Sequence, residues 1–440
     1  MITLLDRKTI GILKNPCLKA DAMKYVEIYE DFLKQLRCLG MSIDEYSNKE
    51  GKESRQKELK EKGAVFKNNG RSIHVNRMSP ACYACEKGIG SRTFFISFNC
   101  NRDCYFCFNY NMKDYDYYRS NKKDYVRDLE LLYQKTKDID FLGLSGGEPL
   151  LFIDDVVLFY RHGRKLFPQA YTRLYTNGDY IDGGVLEKLR SVHLDEIRFS
   201  IKMEDFYAGR YIYEKLALSK KYISSVMVEM PVEPGSFGEM KEILVRLDEV
   251  GIFGINLLEM LCSLVNCEEY SARSFKIKNP PWDVLYDYRY PGTVPIAESE
   301  LDCLDLLKFV VEKGLRLGVH YCSGENKHTA QIYKQNYGKK LPKTHYCSNK
   351  DYFLKSAKVY GGDIPEVLRK FKKMYYNQYK INKKEELVEF NVDRIKDLKN
   401  LDLEVGISTS VFEPSSVGDI LRELKVDLTY PEVFNIDEDV

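Results

Sequence analysis

At 440 residues, with 44% hydrophobic and 30% charged residues, the chain has the composition of a large globular protein with more than one folding unit. Its net charge of +1 leaves no global field to argue for nucleic acid or a membrane surface as partner, and its most apolar stretches, such as Asp302–Glu312, are far shorter than the roughly 20 residues of a membrane span. The start, MITLLDRKTIGILKNP, has no long apolar core before a small-residue cleavage site, so a cytoplasmic location is expected, where twelve cysteines serve metals or catalysis more often than disulfides.

In chain order, the apolar spacing of Met23, Val26, Ile28, Tyr29, Phe32, Leu33 and Leu36 predicts a helix over Ala20–Leu39. The charged run Asn48–Lys62 reads as a solvated helix, and Asn69-Gly70 between AVF and IHV predicts a β-hairpin over Ala64–Val75. Residues 1–80 are read together as an N-terminal extension. From about residue 91, short apolar strands alternate with helical stretches. The strands are Thr93–Phe98, Phe141–Leu144, Thr172–Tyr175, Glu196–Ile201, Val226–Pro231 and Gly254–Leu258; helices are expected at Lys123–Lys137, Val185–Val192, Gly238–Val250 and Glu298–Lys313. Such alternation argues for an α/β fold with parallel strands and right-handed crossovers. Six units would curl into a partial (β/α)6 TIM-like barrel over residues 81–326, with chemistry at the C-terminal ends of its strands. Beyond Tyr321 the rhythm loosens into a C-terminal α+β extension, 327–440, with helices expected at Asp363–Tyr376 and Val417–Leu424 and a strand at Leu403–Ile407.

Directly after the first barrel strand comes FNCNRDCYFCFN, which places Cys100, Cys104 and Cys107 in C-x3-C-x2-C spacing. Three thiolates on one short loop can bind three irons of a cubane and leave the fourth open to an exogenous ligand. A zinc site wants four ligands, so three cysteines alone suit it poorly. This triad, with Phe106 before its last cysteine, is similar to the signature of the radical S-adenosylmethionine (SAM) superfamily. The resemblance implies a [4Fe–4S] cluster whose free iron chelates SAM, reductive cleavage to a 5′-deoxyadenosyl radical, and an electron donor such as flavodoxin or ferredoxin.

The following strands carry further likenesses. LSGGEPL resembles the family's glycine-rich SAM segment, with Gly146, Gly147, Glu148 and Pro149 as contacts: glycines admit close backbone approach, and Glu148 can accept from an ammonium. On that reading Gly147→Val weakens SAM affinity and leaves iron content intact. The third strand ends in YTNGDY, which aims Thr176 and Asn177 at the barrel mouth or forms a simple turn. IRFSIKMED, with Ser200, Lys202 and Asp205, resembles the ribose- and carboxylate-binding segment of pyruvate formate-lyase activating enzymes; VEMPVEPGS is similar to their next strand end. Glu259, closing INLLEM, would contact SAM or substrate, or pair with a neighbouring lysine or arginine.

A second cysteine group consists of Cys82 and Cys85 in SPACYACEKG, Cys322 in HYCSGENKHTAQ, and Cys347 in THYCSN. It suits an auxiliary metal site: four thiolates would close an iron–sulfur cluster or a structural zinc site, and three would leave an iron open to substrate. The alternative is a set of buried thiols. Together, ACYACEKG, INLLEM and HYCSGENKHTAQ resemble a poorly characterised branch of radical SAM proteins related to pyruvate formate-lyase activating enzymes. The expected function is hydrogen-atom abstraction from a peptide, protein or small metabolite. The rivals are a glycyl-radical-enzyme activase and a non-catalytic iron–sulfur scaffold or sensor.

Overall fold

The computed structural model describes residues 1–207, 211–286, 292–416 and 418–440. Two compact units emerge, one of residues 39–282 with 288–330, the other of 1–38 with 283–287 and 331–440. The segment expected as one extension, 1–80, is therefore divided between them.

The larger unit is built on a nine-stranded sheet. In chain order its strands are β1 (Val65–Lys67), β2 (Ser72–Val75), β3 (Ser91–Phe95), β4 (Phe141–Ser145), β5 (Tyr171–Thr176), β6 (Glu196–Ser200), β7 (Ser225–Val232), β8 (Gly254–Glu259) and β9 (Gly318–Cys322). They lie in the order β1-β2-β9-β8-β7-β6-β5-β4-β3, open at both edges. From β3 to β9 all pairs are parallel, so seven strands rather than six form the α/β core; the seventh is GVHYC. Strand alternation separates two faces. Leu142, Leu144, Leu174, Ile197, Phe199, Val228, Ile255, Leu257 and Val319 join helix residues such as Phe159, Leu186, Leu244 and Leu307 in one apolar core. The intervening positions, Thr93, Arg173, Tyr175, Glu196, Arg198, Glu229, Asn256 and His320, give the opposite face a polar lining.

Within residues 39–80, β1 and β2 join this sheet. β2 pairs antiparallel with β9, setting Ser72 opposite Cys322 and Ile73 opposite Tyr321. The Asn69-Gly70 hairpin is present with a loop longer than a two-residue turn, because Lys67 pairs with Ser72 and Asn68, Asn69 and Gly70 all take positive φ. The helix Lys49–Glu61 is not solvated all round. Leu59 is buried, and Arg55 and Glu58 pair with Asp305 (2.9 Å) and Lys308 (2.8 Å) of the helix Ser299–Lys313.

In the smaller unit an antiparallel sheet is formed by β10 (Leu354–Tyr360), β11 (Tyr379–Asn382), β12 (Leu387–Phe390), β13 (Val405–Ser415) and β14 (Gly418–Thr429), with Tyr346–Cys347 added at β10. Val359, Val367, Phe371, Phe390, Ile395 and Val405 pack as its core, and the helix Pro16–Cys38 contributes Leu18, Ala22 and Val26 to a neighbouring cluster. The helix expected from Val417 is instead the strand β14, paired along its length with β13; Val417 itself lies outside the described residues. No described helix is long and apolar enough to cross a membrane.

Candidate active site

The loop bearing Cys100, Cys104 and Cys107 leaves the C-terminal end of β3, and two neighbouring strand ends hold it in place. The amides of Gly147 and Glu148 donate to the carbonyls of Ser97 (2.9 Å) and Asn99 (2.8 Å), and Asn109 Nδ2 donates to the Gly146 carbonyl (2.6 Å). The glycines are needed for this docking. A Cβ on Gly147 would stand 1.9 Å from the Asn99 oxygen, and one on Gly146, at φ +111°, 2.7 Å from the Ser97 oxygen. What approaches their backbone this closely is the cysteine loop, where a ligand was expected.

Glu148 likewise turns inward. It is 2% exposed, and its carboxylate accepts from the amides of Leu150 (3.0 Å) and Asn177 (2.7 Å) and from Thr176 Oγ1 (2.8 Å). Burial raises its pKa, and these donors act in the opposite direction. Its oxygens are thus engaged by three donors of the protein itself. Pro149 is buried at the start of the turn Pro149–Phe152. Asn177 reaches back to the loop, donating to Asn101 Oδ1 (2.8 Å) with its Nδ2 4.0 Å from Cys100 Sγ. Phe106 packs edge-on against Tyr105.

Sequence reasoning missed Arg102, which lies between the first two cysteines of the triad. Its guanidinium, 8% exposed, binds Asp179 through two nitrogens (2.6 and 2.8 Å) and Asp205 through a third (2.7 Å). Asp205 therefore holds the cysteine loop to the chain following β6. That strand stops at Ser200, so Ser200 and Lys202 do not share one strand face; Lys202 lies beyond it and directs its ammonium at Cys104 Sγ. An arginine inside a C-x3-C loop, with aspartates just past two successive strand ends, was the available signal.

The three triad thiols feel one another electrostatically, and burial pushes Cys107 up to about 11. The donor set suits an iron–sulfur cluster. Among the described residues no three His, Cys, Asp or Glu side chains close around a single-ion position. One zinc would draw its sulfurs to roughly 3.8 Å of each other, whereas a cubane spaces them more widely.

Glu259 takes the second of its two expected roles. Buried at the end of β8, it pairs with Lys278 (2.8 Å) and accepts from the Gly324 amide (2.8 Å). Lys278 also binds Glu300, which takes Lys52 (2.7 Å) and the Tyr321 hydroxyl (2.8 Å).

Of the second cysteine group, three members come together. Ser79 caps the short helix Pro80–Cys85, accepting from the Ala81 amide (3.2 Å), and Pro80 follows as its first residue. Cys82 and Cys85 are therefore one turn apart on one helix face. Cys322 ends β9 and is electrostatically coupled to both. Burial raises the thiol pKa of Cys82 and carries that of Cys322 to about 12. Cys347 belongs to the smaller unit, where its thiol faces the Tyr352 carbonyl (3.8 Å). His320 joins Ser72 Oγ (3.0 Å) to Asn256 Oδ1 (2.9 Å), and burial holds its imidazole down at about 3.

Residues 94–256 match the profile of the Radical SAM superfamily. A Methanocaldococcus jannaschii protein, provisionally named as a glycyl-radical enzyme activating enzyme, is 28% identical over 267 residues, covering 59% of this chain and 67% of its own. SAM-bound SuiB from Streptococcus suis aligns at 15% identity over 56% of this chain and 55% of its own, with a TM-score of 0.39. Coproporphyrinogen III oxidase from Escherichia coli aligns at 15% over 55% and 58%, with a TM-score of 0.34. The chain thus spans little more than half the length of these two structures.

Proposed function

We propose that Cys100, Cys104 and Cys107 hold a [4Fe–4S] cluster that binds and reductively cleaves SAM, and that the enzyme abstracts a hydrogen atom from a peptide, protein or small-metabolite substrate. The carrying observation is the bracing of the triad loop by three strand ends through Gly147, Glu148, Asn177, Arg102 and Asp205. When bound, the cluster and SAM supply a 5′-deoxyadenosyl radical. The chain's own residues fix the thiolates and direct the Lys202 ammonium at Cys104, where it offsets thiolate charge. Ser200, at the end of β6, remains a candidate SAM contact.

The name of the Methanocaldococcus relative favours a second reading, activation of a glycyl-radical enzyme, with a protein substrate and a small redox protein as electron donor. Cys82, Cys85 and Cys322 are assigned to an auxiliary metal site, with Cys347 left out. The test is formation of 5′-deoxyadenosine from SAM by reduced, anaerobically reconstituted protein. No product from a fully iron-loaded sample would leave the scaffold or sensor reading in its place.

A further inference from the structure

The polar face of the sheet carries two buried arginines, and only one has counter-charges. Arg198 pairs with Glu196 (2.6 Å) and Glu229 (3.1 Å). Arg173, 5% exposed, lies over the Tyr175 ring at 5.6 Å and donates to Thr93 Oγ1 at 3.4 Å; its Nε has no hydrogen-bond partner and its guanidinium no ion pair among the described residues. The groups acting on it electrostatically are Tyr175, Arg198, Cys85 and Cys82. A guanidinium keeps its proton in a protein, so a buried one calls for an anion.

Two of the three sulfurs are met by N–H donors. Cys82 Sγ is met by Arg198 Nη2 (3.3 Å) and Asn256 Nδ2 (3.5 Å), and Cys322 Sγ by Asn326 Nδ2 (3.4 Å). The Cys82 thiol also faces Asn256 Oδ1 (3.6 Å) and the Cys322 thiol the Ser323 carbonyl (3.9 Å), whereas cluster sulfurs, which carry no proton, would be stabilised by the three N–H donors. These donors come from β6, β8 and the helix opening at Gly324. Pairing of β2 with β9 carries Cys322 to the N-terminal segment that holds the other two cysteines.

Resting on the metal-site reading above, we propose that Cys82, Cys85 and Cys322 hold a second iron–sulfur cluster rather than a zinc ion, and that Arg173 is its buried counter-charge. A cluster on three thiolates is anionic and gains further negative charge on reduction. Arg173 therefore favours the reduced form and acts as a positioning and potential-setting residue.

The test compares wild-type protein with the Cys100→Ala/Cys104→Ala/Cys107→Ala variant after anaerobic reconstitution with iron and sulfide, measuring iron, labile sulfide and zinc. About eight irons in the wild type and about four irons with four sulfides in the variant are expected, and adding Cys82→Ser abolishes the remainder. In the triple variant Arg173→Leu lowers the midpoint potential of the surviving cluster, and Arg173→Lys, which keeps the charge, restores it; an arginine that only packs would leave the potential unmoved. Zinc without sulfide, or a wild type limited to about four irons, overturns the proposal, and the wild-type count decides even if the variant fails to fold. SAM cleavage is scored separately: product with four irons defeats only the second cluster, and no product with eight defeats only the SAM reading.

Discussion

Gly147→Ala tests whether the glycine pair serves the cysteine loop or the ligand. The added Cβ would lie 1.9 Å from the Asn99 oxygen and 2.6 Å from the backbone carbons of Asn99 and Phe98, all main-chain atoms with no rotamer to yield. Restoring an ordinary contact of 3.4 Å moves the loop by the difference, about 1.5 Å. A shift of that size breaks the bonds from Gly147 to Ser97 and from Glu148 to Asn99, at about 1 kcal/mol each. Overpacking adds about 1–3 kcal/mol, for a total of about 3–5 kcal/mol. Because the displaced carbonyl immediately precedes Cys100, iron incorporation should fall together with stability. The assay is iron per chain after anaerobic reconstitution, alongside urea unfolding followed by circular dichroism. Gly238→Ala is the control: its Cβ meets nothing within 4 Å, so it should be neutral or stabilise by up to about 1 kcal/mol. Wild-type iron and stability in Gly147→Ala, with only SAM affinity reduced, would refute the docking argument.

Three further outcomes are expected. Alanine at Cys100, Cys104 or Cys107 should abolish 5′-deoxyadenosine formation, and wild-type activity in any one of them would remove the triad from the mechanism. Arg102→Leu leaves Asp205 buried without its cation and should cost about 3–5 kcal/mol, read by urea unfolding, with partial recovery in Arg102→Leu/Asp205→Asn. Lys278→Met leaves Glu259 without its cation and Glu300 with Lys52 alone, and should destabilise by about 3–5 kcal/mol, read by urea unfolding; wild-type stability would argue against that network.

The local sequence determined most of the parallel core. Period-two alternation in YTRLYT and EIRFS separates helix-facing Leu174, Ile197 and Phe199 from polar-facing Arg173, Tyr175, Glu196 and Arg198, because a pleated strand presents its faces alternately. Cysteine spacing likewise placed the triad on the loop after β3. What the sequence left open depended on distant partners. The ion pair of Glu259 with Lys278, nineteen positions on, is made by the fold and not by local sequence. The stretch Val417–Leu424 carries local helix formers, yet from Gly418 the chain is a strand, because cross-strand pairing with β13 supplies hydrogen bonds and packing that a lone helix of that length would lack. That Gly146 and Gly147 also admit a loop some fifty residues earlier was invisible locally, since close approach requires a missing Cβ whatever is approaching. The approach of Cys322 to Cys82 and Cys85 was also a tertiary outcome: spacing shows only that thiols exist, and the pairing of β2 with β9 brings Cys322 to the segment that holds the other two.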